Sequence, residues 1–209
     1  MSESDTQSPC VFLVDDDDSI RASLSRALSL RGYDVKTFGS ASEFLEVGKD
    51  ASGCLLLDYG MPDMNGLELQ KHLKKLGAKV PIIFITGHGG IPESVEAMKM
   101  GAVDFLEKPF KQSILIERID AALEIDKKRR KISEQSSEAM TRFQRLTERE
   151  REIATILTTK TGENSSKEIA RRLGISPRTV DHHRARILEK MQVGSVAELV
   201  ETGIRAGLF

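Results

Sequence analysis

The 209-residue chain has only two cysteines, Cys10 and Cys54, and no long apolar run. Two cysteines are too few for a disulfide framework, and because each begins a short apolar segment we expect both to be reduced core residues. No run approaches the roughly 18 to 20 apolar residues that a membrane span needs. The polar, acidic start, residues 1–9, does not resemble a signal peptide and predicts a flexible N-terminus. We therefore expect a cytoplasmic protein with no membrane partner.

Composition places the chain among ordinary globular proteins, since 39% of its residues are hydrophobic and 30% are charged. Collagen-like, mucin-like and wholly disordered classes are therefore excluded. The sequence contains no internal repeat and no low-complexity tract. Its four histidines and two cysteines are not spaced as the ligands of a metal cage.

The net charge of −1 conceals two parts of opposite sign. Residues 1–124 contain 13 Lys and Arg against 20 Asp and Glu, a net −7, and residues 125–209 contain 18 against 12, a net +6. The acidic part suits cation or kinase-type chemistry, and the basic part suits a polyanionic partner.

The acidic part alternates short runs of branched apolar residues with segments of helical period, which is the pattern of βα units around a parallel sheet. Five strands and five helices in about 120 residues predict an α/β flavodoxin-like (βα)5 domain over 10–124, with sheet order 2-1-3-4-5. In the fourth helix we expect Val95 and Met98, with Lys99, on the inward apolar face. The predicted strands are Val11–Val14, Val35–Phe38, Leu55–Leu57, Ile82–Ile85 and Val103–Leu106.

A charged segment, 125–141, follows this domain and contains the basic run Lys127 to Lys131. Few of its residues are apolar, so it is predicted to be a linker. Neither Gly nor Pro interrupts it, and a helix that continues the preceding one and a coil are both open.

The remaining residues, 142–209, have helical periodicity and predict an all-α domain of four short helices. Thr147 and Glu150 form a capping box at the start of the first. Ser166 and Ser176 are expected to cap the second and third.

Carboxylates follow two neighbouring strands of the predicted sheet. Four aspartates, Asp15 to Asp18, follow the first strand, and Asp58 ends the third. Ligands of an open parallel sheet bind at the carboxyl ends of its strands, where Asp15 or Asp16 should approach Asp58. Crowded carboxylates recruit a cation, and oxygen ligands with open positions suit Mg²⁺, or Mn²⁺ in its place. We expect Asp17 and Asp18 to be ordinary loop and helix-start residues.

Two further side chains are expected on the same rim. Thr86 ends the fourth strand and Lys108 follows the fifth. A hydroxyl and an ammonium are the groups that hold phosphoryl oxygens beside a magnesium ion. The rim therefore combines a nucleophile, a metal site and counter-charges.

The α/β domain closely resembles the receiver domain of two-component response regulators, the FixJ type in particular, over Val11 to Leu123. The resemblance lies in three segments, VDDDDSIR, LLLDYGMPDMNGLEL and IIFITGHGGIPESVEAMKMGAVDFLEKPF. It implies that Asp58 accepts a phosphoryl group from a sensor histidine kinase. It also implies a protein that is not an enzyme, apart from self-phosphorylation from a phosphodonor and slow autodephosphorylation.

The resemblance also assigns the other residues of the rim. The implied Mg²⁺ ligands are the carboxylates of Asp15, Asp16 and Asp58 and the backbone carbonyl of Gly60. Thr86 and Phe105 would be the switch pair, Lys108 would contact the phosphoryl group, and a cis peptide would join Lys108 to Pro109. The acyl phosphate adds about 1 to 2 negative charges. Thr86 would follow the new oxygens and leave space into which Phe105 turns.

The second and third predicted helices of the basic part, Ser166–Leu173 and Pro177–Met191, are separated by Gly174, which permits a tight turn. The third helix is expected to bury its apolar positions and to leave a basic face outward. A short helix after such a turn, with a basic outer face, is typical of a major-groove reader. The positions expected to be buried are Val180, Ile187 and Met191.

The all-α domain resembles the LuxR-type helix-turn-helix domain over Arg142 to Gly207, in the segments LTEREREIATIL and SSKEIARRLGISPRTVDHHRARILEKMQV. Its expected partner is double-stranded promoter DNA. The predicted phosphate contacts are Lys167, Arg178, Thr179, Arg186 and Lys190, and Ser176 is included in the DNA-binding set. The base readers implied by the family are Asp181, His182 and Ala185. Asp181 can accept from cytosine but is repelled by phosphates, and His183 is expected to pack internally.

One such domain contacts few phosphates, so useful affinity at cellular salt needs two half-sites and a dimer. We expect phosphorylation to promote homodimerisation through the face of strands four and five, and RNA polymerase is a further candidate partner. The glycines at 87, 89 and 90 predict a flexible loop and not a phosphate loop. The turn Thr158 to Ser165 is longer than the usual loop of the family.

Two other functions remain open from the residues alone. A magnesium-dependent phosphohydrolase would use the same aspartate rim and would turn over an external phosphomonoester. A protein-binding output would show no strongly salt-dependent affinity for duplex DNA.

Overall fold

Five parallel strands form one sheet in the order β2-β1-β3-β4-β5, which confirms the predicted topology. The computed structural model describes residues 9–87, 91–159 and 165–209. The strands are β1 (Cys10–Val14), β2 (Asp34–Phe38), β3 (Cys54–Asp58), β4 (Ile82–Thr86) and β5 (Asp104–Glu107). The predicted strands lie at these places, with ends that differ by one residue.

Helices cover both faces of this sheet. They are α1 (Asp18–Ser29), α2 (Ala41–Gly48), α3 (Gly66–Lys75), α4 (Ile91–Lys99) and the first part of α5 (Gln112–Gln144). The central strand β3 is buried throughout, and its side chains alternate between two apolar clusters. Leu55 and Leu57 pack with Phe44 and Phe84 on one face, and Leu56 packs with α5 on the other. A strand buried on both faces needs the continuous apolar run that the sequence shows.

The predicted linker, 125–141, lies within α5. Of the two conformations that the sequence left open, helix and coil, the structure has the helix. The chain divides into two compact units between Arg129 and Arg130. The first part of α5 belongs to the sheet unit, where Leu115 and Ile119 are fully buried. The last part belongs to the helical unit, where Ala139 is buried and Phe143 packs against the core.

The helical unit contains α6 (Glu148–Thr159), α7 (Ser166–Leu173), α8 (Pro177–Met191) and α9 (Val196–Ala206). The capping box of Thr147 and Glu150 is present in both directions. Ser176 caps α8 as predicted. The cap of α7 is Ser165 and not Ser166, because Ser165 has the extended backbone of a cap and its Oγ accepts from the Glu168 N–H.

The apolar face predicted for α4 is wrong. Val95 and Met98 are 44% and 45% exposed, whereas Ala97 is fully buried. The small Ala97 packs into the apolar core, and its backbone carbonyl accepts from Gln70 Nε2 on α3 at 3.2 Å. The side chains of Val95 and Met98 therefore remain at the surface of the sheet unit.

Both cysteines are free thiols, and Cys54 is buried as expected while Cys10 is half-buried. Burial, reinforced by the nearby Asp126 carboxylate, raises the pKa of Cys54 well above its ordinary value. Within residues 9–87, 91–159 and 165–209, no helix is both long and apolar enough to cross a membrane. The predicted loop with Gly89 and Gly90, and most of the longer turn after Thr158, lie outside the described residues.

Candidate functional site

The carboxyl ends of β1 and β3 bring two aspartates together, as the predicted strand order requires. Val14 is the register partner of Leu57, so Asp15 and Asp58 leave the sheet side by side. Asp15 is 2% exposed and Asp58 is 8% exposed. Two adjacent buried carboxylates need a cation, because burial without a partner disfavours the charged form.

Lys108 supplies that cation. Its Nζ lies 2.9 Å from Asp15 Oδ2 and 2.9 Å from Asp58 Oδ1. Burial lowers the pKa of Lys108, but the hydrogen bonds to Asp58 and Asp15 outweigh burial and hold the pKa above its ordinary value. The expected cis peptide between Lys108 and Pro109 is present, and the Lys108 N–H donates to the Thr86 carbonyl at 2.7 Å.

The second oxygen of Asp58 is held by the following loop. Asp58 Oδ2 accepts from the Gly60 N–H at 2.7 Å. Gly66, the first residue of α3, lies directly against Asp58, and a Cβ there would be 2.5 Å from the Asp58 carbonyl oxygen. Backbone packing therefore fixes the position of the Asp58 carboxylate.

The four consecutive aspartates take different roles. Asp15 is buried in the cluster, whereas Asp16 is exposed. Asp17 caps α1 and Asp18 is its first residue, as predicted. Backbone N–H groups of α1 donate to the Asp17 carboxylate and lower its pKa. Four identical residues in a row thus have different structural roles, since Asp15 is buried at the site and Asp17 caps α1.

The donor set of this rim fits a hard divalent cation. Asp15 and Asp58 converge on one position that carries positive charge, and oxygen ligands of this kind suit Mg²⁺. Over the described residues, no three acidic, histidine or cysteine side chains form a ready-made cage. A Mg²⁺ ion keeps several waters and uses one or two carboxylates, so it does not need such a cage.

The predicted switch residues lie on β4 and β5, the two strands that follow β3 in the sheet. Thr86 is 2% exposed at the end of β4, and Phe105 on β5 is half-buried. The Phe105 ring is 5.9 Å from that of Phe84 and 6.5 Å from that of Tyr59. Sequence reasoning did not single out Tyr59, although an aromatic residue directly after Asp58 was a usable signal.

The helical unit presents α8 on a turn that Gly174 closes in the left-handed conformation, with φ 65°. Val180, Ile187 and Met191 are fully buried, as expected from their spacing. The opposite face is open to solvent. The predicted DNA-binding residues that are exposed are Lys167, Ser176, Arg178, Thr179, Asp181, His182, Ala185 and Arg186.

Lys190 differs from this exposed set. Its Nζ donates to Glu150 Oε2 at 2.6 Å, and the Glu150 side chain is 4% exposed. Burial raises the pKa of Glu150, but the bonds from Lys190 and from the Thr147 N–H outweigh it and leave the pKa below its ordinary value. The sequence analysis identified Glu150 only as a helix cap.

The contacts of two other residues bear on the predicted interface. Asp181 accepts from the Ser166 hydroxyl, and Arg184 also reaches that hydroxyl at 3.3 Å. His183 is half-buried as expected, and its Nδ1 is buried with no hydrogen-bond partner among the described residues.

Two family models match the chain. The response regulator receiver domain matches residues 11–120, and the luxR family of bacterial regulatory proteins matches residues 144–202. The response regulator protein TodT of Pseudomonas putida is 41% identical over 91% of this chain and 83% of its own length. The transcriptional regulatory protein FixJ of Rhizobium meliloti is 41% identical over 94% of this chain and 96% of its own length.

Solved structures give the same result. The response regulator StyR is 40% identical, covers 95% of this chain over its whole length and superposes with a TM-score of 0.81. Full-length FixJ from B. japonicum is 37% identical, covers 98% of this chain and has a TM-score of 0.58. These relatives are named as response regulators and a transcriptional regulatory protein, which agrees with neither a phosphohydrolase nor a protein-binding module that does not bind DNA. The chain belongs to the two-component response regulators, phosphorylation-dependent transcription regulators that join a receiver domain to a LuxR-type DNA-binding domain.

Proposed function

We propose that Asp58 is the phosphoacceptor and that it receives the phosphoryl group from a histidine of a cognate sensor kinase. The single observation that carries this is the pair of 2.9 Å contacts from Lys108 Nζ to the buried Asp58 and Asp15. A carboxylate oxygen of Asp58 attacks phosphorus as the phosphorus–nitrogen bond of the phosphohistidine breaks. The bonding electrons leave with the imidazole.

The surrounding residues hold charge in place during this transfer. Lys108 keeps an ammonium beside the carboxylates, so negative charge on the phosphoryl oxygens develops next to a fixed cation. Asp15, Asp16, Asp58 and the Gly60 carbonyl would hold Mg²⁺ or Mn²⁺. When bound, the metal neutralises charge on the phosphoryl group. Self-phosphorylation from a small acyl phosphate would use the same residues.

Thr86 and Phe105 would carry the change outward. Thr86 lies at the carboxyl end of β4 beside the Asp58 strand, so its hydroxyl is placed to follow new phosphoryl oxygens. Phe105 borders Phe84 and Tyr59, and its rotation would alter the surface of β4, α4 and β5. Val95 and Met98 are exposed on that face, which supports its use as the homodimer interface.

The exposed face of α8 would read promoter DNA. Arg178, Arg186 and Lys167 would contact phosphates, and His182 and Ala185 would face base edges. We assign Lys190 to the fold of the helical unit, because its ammonium is bound by the buried Glu150. A promoter-binding protein would work in the cytoplasm, where RNA polymerase is a candidate partner.

Intact-mass analysis with Mg²⁺ and a small acyl-phosphate donor tests the phosphoacceptor. We expect one added phosphoryl group in the unaltered protein and none in Asp58→Asn. Asp63→Asn is the matched control, because Asp63 is an exposed carboxylate in the same β3–α3 loop. A phosphoryl group retained by Asp58→Asn, or lost in Asp63→Asn, would contradict the assignment. Sedimentation of the same samples shows whether dimers form with the added mass.

A further inference from the structure

We infer that Arg21 is a positioning residue of the metal site, which orients the Asp15 carboxylate by holding the main chain of Asp15. This inference rests on the proposed function, since it assumes that Asp15 is a metal ligand. Arg21 lies in the second turn of α1, and its side chain is 17% exposed. Its Nη1 donates to the Asp15 carbonyl at 2.5 Å, and its Nη2 forms an ion pair with Asp18.

The guanidinium lies between two loops at the carboxyl edge of the sheet. On one side is the Asp15 carbonyl, and on the other is Gly39, which follows β2. A Cβ at Gly39 would lie 3.5 Å from Arg21 Nη2. The Asp15 N–H in turn donates to the Phe38 carbonyl at 3.3 Å. A Cβ at Gly39 would make only ordinary van der Waals contact with the guanidinium, so the guanidinium packs directly beside this residue.

Every polar atom of Asp15 is engaged. The N–H is held by Phe38 and the carbonyl by Arg21. Oδ1 accepts from the Asp17 N–H at 2.9 Å, and Oδ2 accepts from Lys108 at 2.9 Å. The carboxylate extends from a main chain that Phe38 and Arg21 hold, so a shift of this main chain would move it. Among the described residues, Arg21 is the side chain that binds the Asp15 main chain.

Arg21 has two opposing effects on a bound cation. Its positive charge near Asp15 repels the cation, whereas its hydrogen bond fixes the ligand. Partners that orient metal ligands are typically worth about 10- to 100-fold in metal affinity. The Arg21 charge is already compensated by the ion pair with Asp18, so we expect the positioning effect to dominate.

Mn²⁺ binding measured by electron paramagnetic resonance, with Mg²⁺ as competitor, separates the two effects. In the full-length protein, Arg21→Lys keeps the charge and loses the planar fork, and Arg21→Gln loses both. We expect about tenfold weaker binding in both variants. If charge dominates, Arg21→Gln binds more tightly and Arg21→Lys is unchanged, which overturns the inference. Arg26→Gln, an exposed change in the last turn of α1, should leave the affinity unchanged.

A second variant crowds the guanidinium without removing it. In Gly39→Val the Cβ would already contact Arg21 Nη2 at 3.5 Å and would carry two further methyl groups, so we expect it to weaken Mn²⁺ binding in the same direction. In both Arg21 variants the Mg²⁺ concentration for half-maximal self-phosphorylation should rise by a larger factor than the maximal rate falls. Equal changes in both quantities would show a general loss of structure and contradict positioning.

The two levels of the hypothesis fail differently. If the unaltered protein binds no Mn²⁺, or if Asp58→Asn still gains a phosphoryl group, the proposed function fails. If the unaltered protein behaves as proposed and the Arg21 variants bind Mn²⁺ normally, only the role of Arg21 fails.

Discussion

Lys190 donates to the buried Glu150 carboxylate at 2.6 Å, and this ion pair joins α8 to the first turn of α6. Glu150 also accepts from the Thr147 N–H, so one carboxylate caps a helix and binds a second helix. A basic residue of α8 thus links two helices of the helical unit.

Lys190→Gln should destabilise the helical unit by about 2 kcal/mol, because a charge-assisted hydrogen bond to a buried carboxylate is lost. Amide hydrogen exchange of α6 and α8 in the full-length protein measures the change. Lys167→Gln, which removes an exposed cation from α7, should change stability by less than about 0.5 kcal/mol. Similar values for both variants would show that the pair does not stabilise the domain.

The helical unit should lose stability in acid through Glu150. The pKa of Glu150 is below its ordinary value of about 4.5 in the folded chain, so its contribution is complete above that value. The contribution is lost as the pH falls through the lowered folded pKa. Hydrogen exchange of α6 and α8 between pH 6 and pH 3 should therefore show a smaller loss in Glu150→Gln than in the unaltered protein. Glu189→Gln, an exposed change on α8, should retain the full loss.

Much of the fold and of the rim could be predicted because both follow from strand order. Once β1 and β3 are neighbours, Asp15 and Asp58 must lie side by side at the carboxyl edge of the sheet. Lys108 directly follows β5, so it is expected at the same edge. Resemblance to a family then supplied roles for these residues. Periodicity located α8 because Val180, Ile187 and Met191 repeat at helical spacing.

The remaining features depend on side-chain contacts that spacing does not encode. The pattern of α4 predicted that Val95 and Met98 are buried, but the small Ala97 is the residue that is buried in the core of the sheet unit. Arg21 binds the backbone carbonyl of Asp15. Because every residue has a backbone carbonyl, the sequence does not indicate this contact. The partner of Lys190 lies 40 positions away and was recognised only as a cap.

Lys108→Gln should slow phosphorylation and strengthen metal binding. Loss of the ammonium removes a fixed charge beside the developing phosphoryl charge, so the rate from a small acyl phosphate should fall about 100-fold. Mn²⁺ should bind more tightly, because Lys108 no longer competes for the oxygens of Asp15 and Asp58. Lys111→Gln, an exposed change near the same rim, should alter neither quantity. Weaker Mn²⁺ binding in Lys108→Gln would contradict this account of the rim.

Gly66→Ala should shift the backbone of the proposed phosphoacceptor Asp58. The new Cβ would lie 2.5 Å from the Asp58 carbonyl oxygen and 2.9 Å from Phe84 Cε1, so the backbone of Asp58 must move. We expect about 2 kcal/mol of destabilisation of the receiver, together with slower phosphorylation. Gly87→Ala is the control, because a Cβ at Gly87 meets no atom of the described part of the chain within 4 Å. Urea unfolding and phosphorylation rates measure both effects, and a neutral Gly66→Ala would show that the loop adapts without cost.

Arg178→Gln and Arg186→Gln should each weaken DNA binding in a salt-dependent way. Each exposed arginine that contacts a phosphate releases counterions, so its loss should lower the slope of log affinity against log salt by about 0.9. Fluorescence anisotropy with a random-sequence duplex measures this slope without knowledge of the promoter. Arg171→Gln is the matched control, since Arg171 is exposed on α7 and paired with Glu168. Lys190→Gln should also keep the slope if its ammonium serves the fold, and a reduced slope in that variant would return Lys190 to the phosphate contacts.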